Sequence, residues 1–216
     1  MRYTIHKRVV GEFQENTWII AKDDDKSAVI IDPGGQPEVL VNWLNDNGVH
    51  PVAILNTHGH LDHIGAVKSL QKVFKIPFYL HSKDEFLVDM YSEHARMFGV
   101  EMYGVPEVTH SLDSKKKLVI AGLTFTVLET PGHTPGGVSF LLDDHLFSGD
   151  TLFAGSIGRT DLPGGDYETL LNSIVDNLLP LPDDTKVHPG HGPDTTLGAE
   201  RQANPFIRQW LQQATG

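Results

Sequence analysis

Apolar and polar positions along the chain form short strand-like runs that are separated by longer runs with helical spacing. The strand-like runs are rich in β-branched and aromatic side chains, and glycine, proline or aspartate follows most of them. In the first half of the chain they predict strands at residues 2–10, 17–21, 27–31, 52–56 and 77–81. In the second half they predict strands at residues 117–121, 123–129, 138–142, 145–148 and 185–187.

Helices are predicted between and after these strands. The first begins at Pro37, and Gly48 is placed to end it. The second buries the stripe Val67, Leu70, Val73 and Phe74. Residues 83–98 are mostly helical, residues 99–114 form a long connection, and helical material with Phe206, Ile207, Trp210 and Leu211 closes the chain.

The clearest helical pattern follows Asp166, a good N-cap, and ends at Pro180. Its apolar stripe is Leu170, Leu171, Ile174, Val175, Leu178 and Leu179. Strands ahead of helices in each half predict two sheets with helices packed outside them. No segment has the composition of a linker, so we expect a single domain over residues 1–216.

One stretch between a predicted strand and a predicted helix concentrates metal-ligand side chains. The stretch is Thr57-His58-Gly59-His60-Leu61-Asp62-His63, and its last six residues, from His58 to His63, include three imidazoles and one carboxylate. Histidine is the commonest metal ligand in proteins, and a carboxylate beside it suits the same borderline ions. A fixed H-x-H-x-D-H arises by chance in roughly three chains per thousand of this composition. Gly59 is expected to let the backbone bend so that these side chains converge.

Three further residues of ligand type follow predicted strands and are held by glycine or proline. His133 lies in Pro131-Gly132-His133-Thr134-Pro135-Gly136-Gly137, Asp150 follows Gly149, and His191 lies in Pro189-Gly190-His191-Gly192. Taken alone, each is an ordinary structural histidine or turn aspartate. Together with the histidine stretch they predict one metal site carried by loops on a rigid scaffold.

Composition narrows the classes of partner. The formal net charge is −11, and the longest basic tract is Lys115-Lys116-Lys117, so nucleic acid is not an expected partner. The chain has no cysteine, which excludes disulfides, thiolate metal sites and a cysteine nucleophile. The first eight residues lack the apolar core of a signal peptide, and no apolar run reaches membrane-spanning length. We expect a cytoplasmic protein without a membrane partner.

The order of these motifs resembles the metallo-β-lactamase superfamily. The fuller pattern adds Asp32-Pro33-Gly34-Gly35, Gly149-Asp150 and Gly158-Arg159-Thr160-Asp161, and it is similar to the glyoxalase II (hydroxyacylglutathione hydrolase) branch. The similarity is greatest to the short, single-domain bacterial type II glyoxalases. It extends from the first strands to about Phe206.

The resemblance implies an α/β fold, a four-layer αβ/βα sandwich with two divalent metal ions at the sheet edges. It assigns His58, His60 and His133 to one ion, Asp62, His63 and His191 to the other, and Asp150 to both. Asp32 would support the site from behind the ligands. Nitrogen and oxygen ligands suit zinc, iron or manganese, and we expect zinc first.

The same resemblance implies thioester hydrolysis, with S-D-lactoylglutathione converted to D-lactate and glutathione. Two close cations lower the pKa of a bridging water towards 7, and Asp62 is a candidate to orient the resulting hydroxide. A thiolate leaves readily because the pKa of a thiol is about 8.5. Full-length relatives bind glutathione through a C-terminal helical domain, but only 25 residues follow His191, so we expect no such domain here. Arg159 is a candidate carboxylate clamp, although it could instead pair with Asp161.

Other functions fit the same motifs less well. A persulfide dioxygenase, whose relatives also show Gly-Arg-Thr-Asp, would hold one iron with His58, His133 and Asp150. A lactonase or another esterase of the same fold is a further alternative. A ribonuclease is disfavoured by the acidic charge and by the lack of a basic arm. A binding protein with a dead site is disfavoured because all seven ligand positions are filled.

Overall fold

The computed structural model describes residues 2–113 and 116–214. Ser114, the last residue of the predicted connection, and Lys115, the first residue of the basic tract, lie outside the described residues, as do Met1, Thr215 and Gly216. None of the helices in the described ranges combines the length and apolar content needed to cross a membrane.

The first half of the chain forms one six-stranded sheet in sequential order. Its strands are β1 (Tyr3–Val10), β2 (Glu15–Lys22), β3 (Ser27–Ile31), β4 (His50–Leu55), β5 (Phe78–Leu80) and β6 (His110–Ser111). Strands β1 to β3 pair antiparallel, and β3 to β6 pair parallel. The parallel strands therefore end at the same edge of the sheet.

The second half forms another six-stranded sheet, in the order β14-β13-β10-β9-β8-β7. Its strands are β7 (Lys117–Ile120), β8 (Leu123–Glu129), β9 (Val138–Leu142), β10 (His145–Gly149), β13 (Lys186–Pro189) and β14 (Thr195–Thr196). A small hairpin, β11 (Leu152–Phe153) and β12 (Ser156–Ile157), leaves this sheet after β10. Strands β10 and β13 are parallel neighbours, so the loops that follow them are adjacent.

The helices cover the outer faces of the two sheets. In the first half they are α1 (Pro37–Asp46), α2 (Leu61–Ile64), α3 (Val67–Phe74), α4 (Glu85–Asp89) and α5 (Tyr91–Phe98), with a 3₁₀ turn at Ser82–Asp84. In the second half they are α6 (Tyr167–Ser173), α7 (Leu197–Ala203) and α8 (Pro205–Ala214). Local signals explain their ends: Gly48 has a φ of 62° just beyond α1, and the Asp166 carboxylate accepts from the Thr169 N–H at 2.8 Å.

Three separate apolar cores lie between four layers. One packs Leu40, Leu70 and Tyr91 of the first helices against the outer face of the first sheet. The second lies between the two sheets and includes Trp18 and Phe140. The third packs the helices of the second half on the outer face of the second sheet, and its members include Leu146, Leu171, Ile174, Val187 and Ile207. The predicted four-layer αβ/βα sandwich is confirmed.

Three expectations from the sequence need correction. Val73, predicted in the buried stripe of the second helix, is 54% exposed, because only Val67, Leu70 and Phe74 of α3 face the core. The predicted connection over residues 99–114 contains strand β6, whose His110 pairs with Tyr79 of β5. Two residues are too few to show alternation, so only the pairing partner reveals this strand. The helix after Asp166 is not regular up to Pro180, because a π-helical turn occupies Ile174–Leu178 and the Leu179 N–H donates to the Ile174 carbonyl at 2.9 Å.

Candidate metal centre

The predicted ligands lie in loops that follow strands at one edge of the sandwich. Residues 57–63 join β4 to α2, and Asp32 follows the parallel neighbour β3. From the second sheet, His133 lies in the loop between β8 and β9, Asp150 follows β10, and His191 follows β13. This is the position where α/β sheets usually carry their sites.

The structure brings the predicted ligands into two groups, and each group draws on both halves of the chain. One group is His58, His60 and His133, and the other is Asp62, His63 and His191. Within each group one ligand atom per residue lies within 4.8 Å of the others. We call these groups cluster 1 and cluster 2. The assignment of their members as ligands stays a prediction.

Asp150 lies between the two clusters. Its Oδ2 is 3.7 Å from His133 Nε2 of cluster 1 and 3.6 Å from His191 Nε2 of cluster 2. Its Oδ1 is 3.4 Å from His63 Nε2. A single carboxylate with one oxygen near both clusters has the position that the predicted bridging ligand requires.

Unpartnered buried atoms provide a test of whether a cation fits these residues. Among the described residues, buried side-chain atoms without a hydrogen-bond partner include His58 Nε2, both ring nitrogens of His63, and Asp150 Oδ1. Leaving such an atom unpaired costs about 1–3 kcal/mol. His63 Nδ1 lies 3.1 Å from Asp32 Oδ2, but the other three atoms belong to neighbouring side chains, with His63 Nε2 3.4 Å from Asp150 Oδ1 and the centres of the His58 and His63 rings 4.1 Å apart. Such a group of unpaired acceptors suits bound cations, so the residues fit divalent metal ions.

The charges of cluster 1 and of Asp150 are suited to metal ions, which bind neutral imidazoles and ionised carboxylates, whereas His63 of cluster 2 must give up a proton to bind one. Burial, together with the neighbouring imidazoles, lowers the pKa of His58 far below its usual value and that of His60 to about 3. Burial opposes ionisation of Asp150, but the nearby His63 imidazole outweighs it and holds the pKa of that carboxyl well below its usual range. Burial acts to lower the pKa of His63, but Asp150 and the other nearby carboxylates raise it well above its usual value.

Asp32 lies behind the predicted ligands, and its supporting role stays a prediction. Its Oδ1 accepts from the Thr57 N–H at 2.7 Å, and its Oδ2 accepts from the Thr57 hydroxyl at 2.6 Å. The same Oδ2 is 3.1 Å from His63 Nδ1, and Thr57 Oγ1 is 3.0 Å from His58 Nδ1. Asp32, His58 and His63 also form a compact group. Because both oxygens of Asp32 already accept hydrogen bonds, we assign it to orienting the rings.

Close packing at Gly190 keeps the His191 loop against the rest of the centre. A Cβ atom at position 190 would lie 2.3 Å from Asp150 Oδ1 and 2.6 Å from His63 Cε1. No side chain fits at these distances, so only glycine allows this approach of the backbone.

The guanidinium of Arg159, the candidate substrate clamp, is bound to a carboxylate of its own loop. Arg159 Nε and Nη2 donate to the two oxygens of Asp161 at 2.7 and 2.8 Å on an exposed surface. The main chain of Arg159 has a second contact, because its carbonyl oxygen is 2.7 Å from His133 Nδ1. The arginine loop therefore fixes the orientation of the His133 ring, and substrate binding by Arg159 stays a prediction.

Sequence reasoning missed two buried polar side chains beside the centre. The Asp84 carboxylate accepts hydrogen bonds from both the His58–His60 loop and the His133 loop. Asn56 Nδ2 donates to the His63 carbonyl at 2.9 Å and to the His58 carbonyl at 3.3 Å. For Asn56, the signal in the sequence is its position directly before the histidine stretch. For Asp84, the sequence indicates nothing beyond an ordinary helix cap.

A cavity of about 230 Å³ opens beside Asp62 of cluster 2. Its walls come from the turn between β1 and β2, the end of β3, α2, and the segment that follows α5. Phe13 and Tyr103 contribute aromatic surface, and Glu12 and Glu101 contribute carboxylates. Among the described residues, the lining includes no lysine, arginine or histidine.

Comparisons with known proteins agree on one family. The model of the metallo-β-lactamase superfamily matches residues 10–191. The hydroxyacylglutathione hydrolase GloC of Haemophilus influenzae is 42% identical over 207 residues, which cover 92% of this chain and 95% of that protein.

Two solved structures are similar over nearly their whole length. The crystal structure of BLEG-1, described as a B3 metallo-β-lactamase, has a TM-score of 0.89 and 44% identity, and the match covers 94% of this chain and 99% of that one. The structure of TTHA1623 in a di-iron-bound form has a TM-score of 0.84 and 41% identity, covering 93% and 99%. On this family match and these relatives, the chain belongs to the metallo-β-lactamase superfamily and is a metallo-hydrolase.

Proposed function

We propose that the protein is a dinuclear thioester hydrolase whose substrate is S-D-lactoylglutathione, cleaved to D-lactate and glutathione. The observation that carries this proposal is the pair of three-ligand clusters with the Asp150 carboxylate between them. The similarity to a relative named as a hydroxyacylglutathione hydrolase supports the choice of substrate. The partner is thus a small-molecule glutathione conjugate.

The residues of the centre have separate roles in this proposal. Cluster 1 and cluster 2 would each hold one divalent ion, and Asp150, which lies between the clusters, would serve both. When bound, such ions supply a water of lowered pKa and polarise the carbonyl of the substrate. His58 and His60 stay neutral at physiological pH, because burial keeps their pKa values low, and they therefore remain available as ligands.

Asp62 is the residue that we assign to orienting the attacking water. Its Oδ2 is 3.2 Å from His191 Nε2, and its side chain retains 20% exposure where it lines the cavity. Burial opposes its ionisation, but His191 and His63 outweigh burial and lower the pKa of Asp62, so it is an acceptor at neutral pH. The departing thiolate needs little proton donation because the pKa of a thiol is about 8.5.

Two findings bear on the metal and on the substrate. The di-iron form of TTHA1623 supports iron as an alternative to zinc in a centre of this kind. The name of BLEG-1 supports hydrolysis of a β-lactam amide as a second candidate function, at an identity comparable with that of the glyoxalase relative. Both reactions begin with attack of water on a carbonyl, and they differ in the leaving group.

The proposal is tested with purified protein by metal analysis and three parallel assays. We expect two metal ions per chain and turnover of S-D-lactoylglutathione that a chelator abolishes. The rival assays are hydrolysis of a chromogenic β-lactam and oxygen uptake with glutathione persulfide. One iron per chain with oxygen consumption and no thioester turnover would establish the dioxygenase alternative, and β-lactam turnover alone would establish the second candidate.

A further inference from the structure

The Asp84 side chain is a buried carboxylate that lies between the two loops of cluster 1. Asp84 is the last residue of the 3₁₀ turn Ser82–Asp84, which lies between β5 and α4, and the relative exposure of Asp84 is 0%. The functional site proposed above does not use this residue. A buried carboxylate is costly unless strong hydrogen bonds compensate it, so its contacts define what it does.

Asp84 accepts three hydrogen bonds from two separate parts of the chain. Its Oδ2 accepts from the Gly59 N–H at 3.0 Å and from the Thr134 hydroxyl at 2.7 Å. Its Oδ1 accepts from the Gly136 N–H at 2.6 Å. Burial raises the pKa of this carboxyl, and the three bonds act in the opposite direction. Bonds from neutral donors to an ionised acceptor are about twice as strong as neutral pairs, so this carboxylate ties the two loops firmly together.

The three donors are next to the ligands of cluster 1. Gly59 lies between His58 and His60, and Thr134 follows His133 directly. The rings of His60 and His133 meet, with 2.9 Å between His60 Nδ1 and His133 Nε2. Any change in the separation of the two loops therefore changes the separation of these imidazoles.

Packing around Asp84 leaves no room for the loops to adjust. A Cβ atom at Gly59 would lie 2.9 Å from the Asp84 carbonyl oxygen, and one at Gly136 would lie 2.7 Å from Oδ1. The backbone of both loops thus lies in direct contact with Asp84.

Cluster 2 is held by different contacts. Asn56 Nδ2 donates to the His63 carbonyl, Asp32 Oδ2 lies against the His63 ring, and the Asn16 N–H donates to the Gly190 carbonyl at 2.7 Å. No hydrogen bond to Asp84 among those described reaches Asp62, His63 or His191. Asn56 also donates to the His58 carbonyl at 3.3 Å, but the contacts of the Asp84 side chain are confined to the loops of cluster 1.

We propose that Asp84 is a positioning residue for cluster 1, which fixes the distance between the His58–His60 loop and the His133 loop and so sets the affinity of one metal ion only. The inference rests on the dinuclear centre proposed above. Contacts of this kind behind a metal ligand are typically worth about 10–100-fold in metal affinity.

The test compares Asp84→Asn with Asp89→Asn, an exposed aspartate of the neighbouring helix α4. The amide introduced by Asp84→Asn cannot accept from all three donors, so one of them faces an NH₂ group. We expect competition with a chromophoric chelator to show one metal ion bound about 10–100-fold more weakly in Asp84→Asn. The other ion of Asp84→Asn should bind as tightly as in the unchanged protein. In Asp89→Asn, both ions should bind as tightly as in the unchanged protein. Cobalt substitution should alter one of the two absorption envelopes.

A second variant keeps the test decisive if Asp84→Asn folds poorly. Thr134→Val has a similar shape and removes one donor, so it should weaken the same ion by a smaller factor, with unchanged circular dichroism. Equal affinities in all variants, or equal weakening of both ions, would overturn the inference. These readouts measure metal binding rather than hydrolysis, so a protein that binds two ions without cleaving thioesters would reject the proposed substrate and leave this test intact.

Discussion

At the scale of single residues, the centre depends on Asp150 more than on any one imidazole. Each histidine belongs to one cluster, whereas the oxygens of Asp150 lie within 3.7 Å of ring nitrogens in both. Its negative charge also balances the buried imidazoles, which is why its pKa is depressed although burial acts in the opposite direction.

We therefore predict that Asp150→Asn weakens both metal ions. The amide keeps the shape of the side chain but removes its charge, so affinity should fall for both ions by at least about 100-fold. Equilibrium dialysis followed by elemental analysis measures this. The matched control is Asp176→Asn, a change at an exposed aspartate of the π-helical turn after α6. Loss of a single ion would show that Asp150 belongs to one cluster.

The meeting of the six cluster residues and Asp150 could be predicted because four of the seven lie in one dense histidine stretch and the other three are ligand types placed after strands beside glycine or proline. Their grouping follows from the family resemblance, and their role as ligands stays a prediction. Asp84 could not be predicted, because an aspartate ahead of a helix is an ordinary cap and its partners lie 25, 50 and 52 positions away. The sequence predicts that Gly59 is needed for a bend in the backbone, but the structure gives a different reason. Its φ is not positive, and what requires a glycine is the close approach of Asp84.

At the scale of elements, strand ends and tight loops determine where the ligands meet. The strands of four or more residues were predictable to within a few positions, because alternation and composition persist over that length. The two-residue strands β6, β11, β12 and β14 were not, since pairing with a neighbour defines them. The π-helical turn after α6 was also unpredictable, because its apolar stripe is compatible with a regular helix.

Loop packing gives a second prediction. Gly190→Ala places a methyl group against Asp150 and His63, so the His191 loop must move away from the centre. We expect the ion of cluster 2 to bind at least about tenfold more weakly, with about 1–3 kcal/mol lost from the free energy of unfolding. Metal titration and urea denaturation measure the two effects. Gly48→Ala is the control, because it introduces backbone strain at φ 62° with no neighbour within 4 Å. It should lower stability without changing metal affinity.

At the scale of the whole molecule, the acidic character of the chain reaches the cavity beside Asp62. Glu12 and Glu101 line the space beside Asp62. Like charges repel across such a space, and the effect of one exposed charge is about 1 kcal/mol. Recognition of glutathione through its carboxylates therefore receives no help from the described lining of this cavity.

This predicts a preference among small thioesters that differ chiefly in charge. The S-lactoyl esters of thiocholine, mercaptoethanol and 3-mercaptopropionate serve as substrates. The thiol part of these esters is positively charged, neutral and negatively charged, respectively. We expect kcat/KM to fall in that order, and Glu101→Gln to change each charged ester about fivefold in opposite directions, which reduces the ratio between the extremes about 30-fold. Glu168→Gln, an exposed change on α6, is the control. A preference for the negative ester would show that its binding site lies elsewhere.

Metal removal should destabilise the whole fold, because each cluster contains residues from both sheets. A ligand at 100 times its Kd stabilises the folded state by about 2.7 kcal/mol, which corresponds to about 5–10 °C in Tm for a chain of this size. We therefore expect chelation to lower Tm by about that amount for each ion removed, and added metal to restore it. Asp150→Asn should show a smaller shift. If chelation left the Tm of the protein without substitutions the same, the ions would not hold the sheets together.

The division of ligands between the two sheets has a further consequence for a protein cut into fragments. The first sheet ends at Ser111 and the second begins at Lys117, so a nick between them separates His58, His60, Asp62 and His63 from His133, Asp150 and His191. Neither piece then carries a complete set of donors for either ion. We therefore expect the two pieces to associate more tightly when zinc is present. A pull-down of one piece by the other, with and without a chelator, would measure this effect of the metal on reassembly.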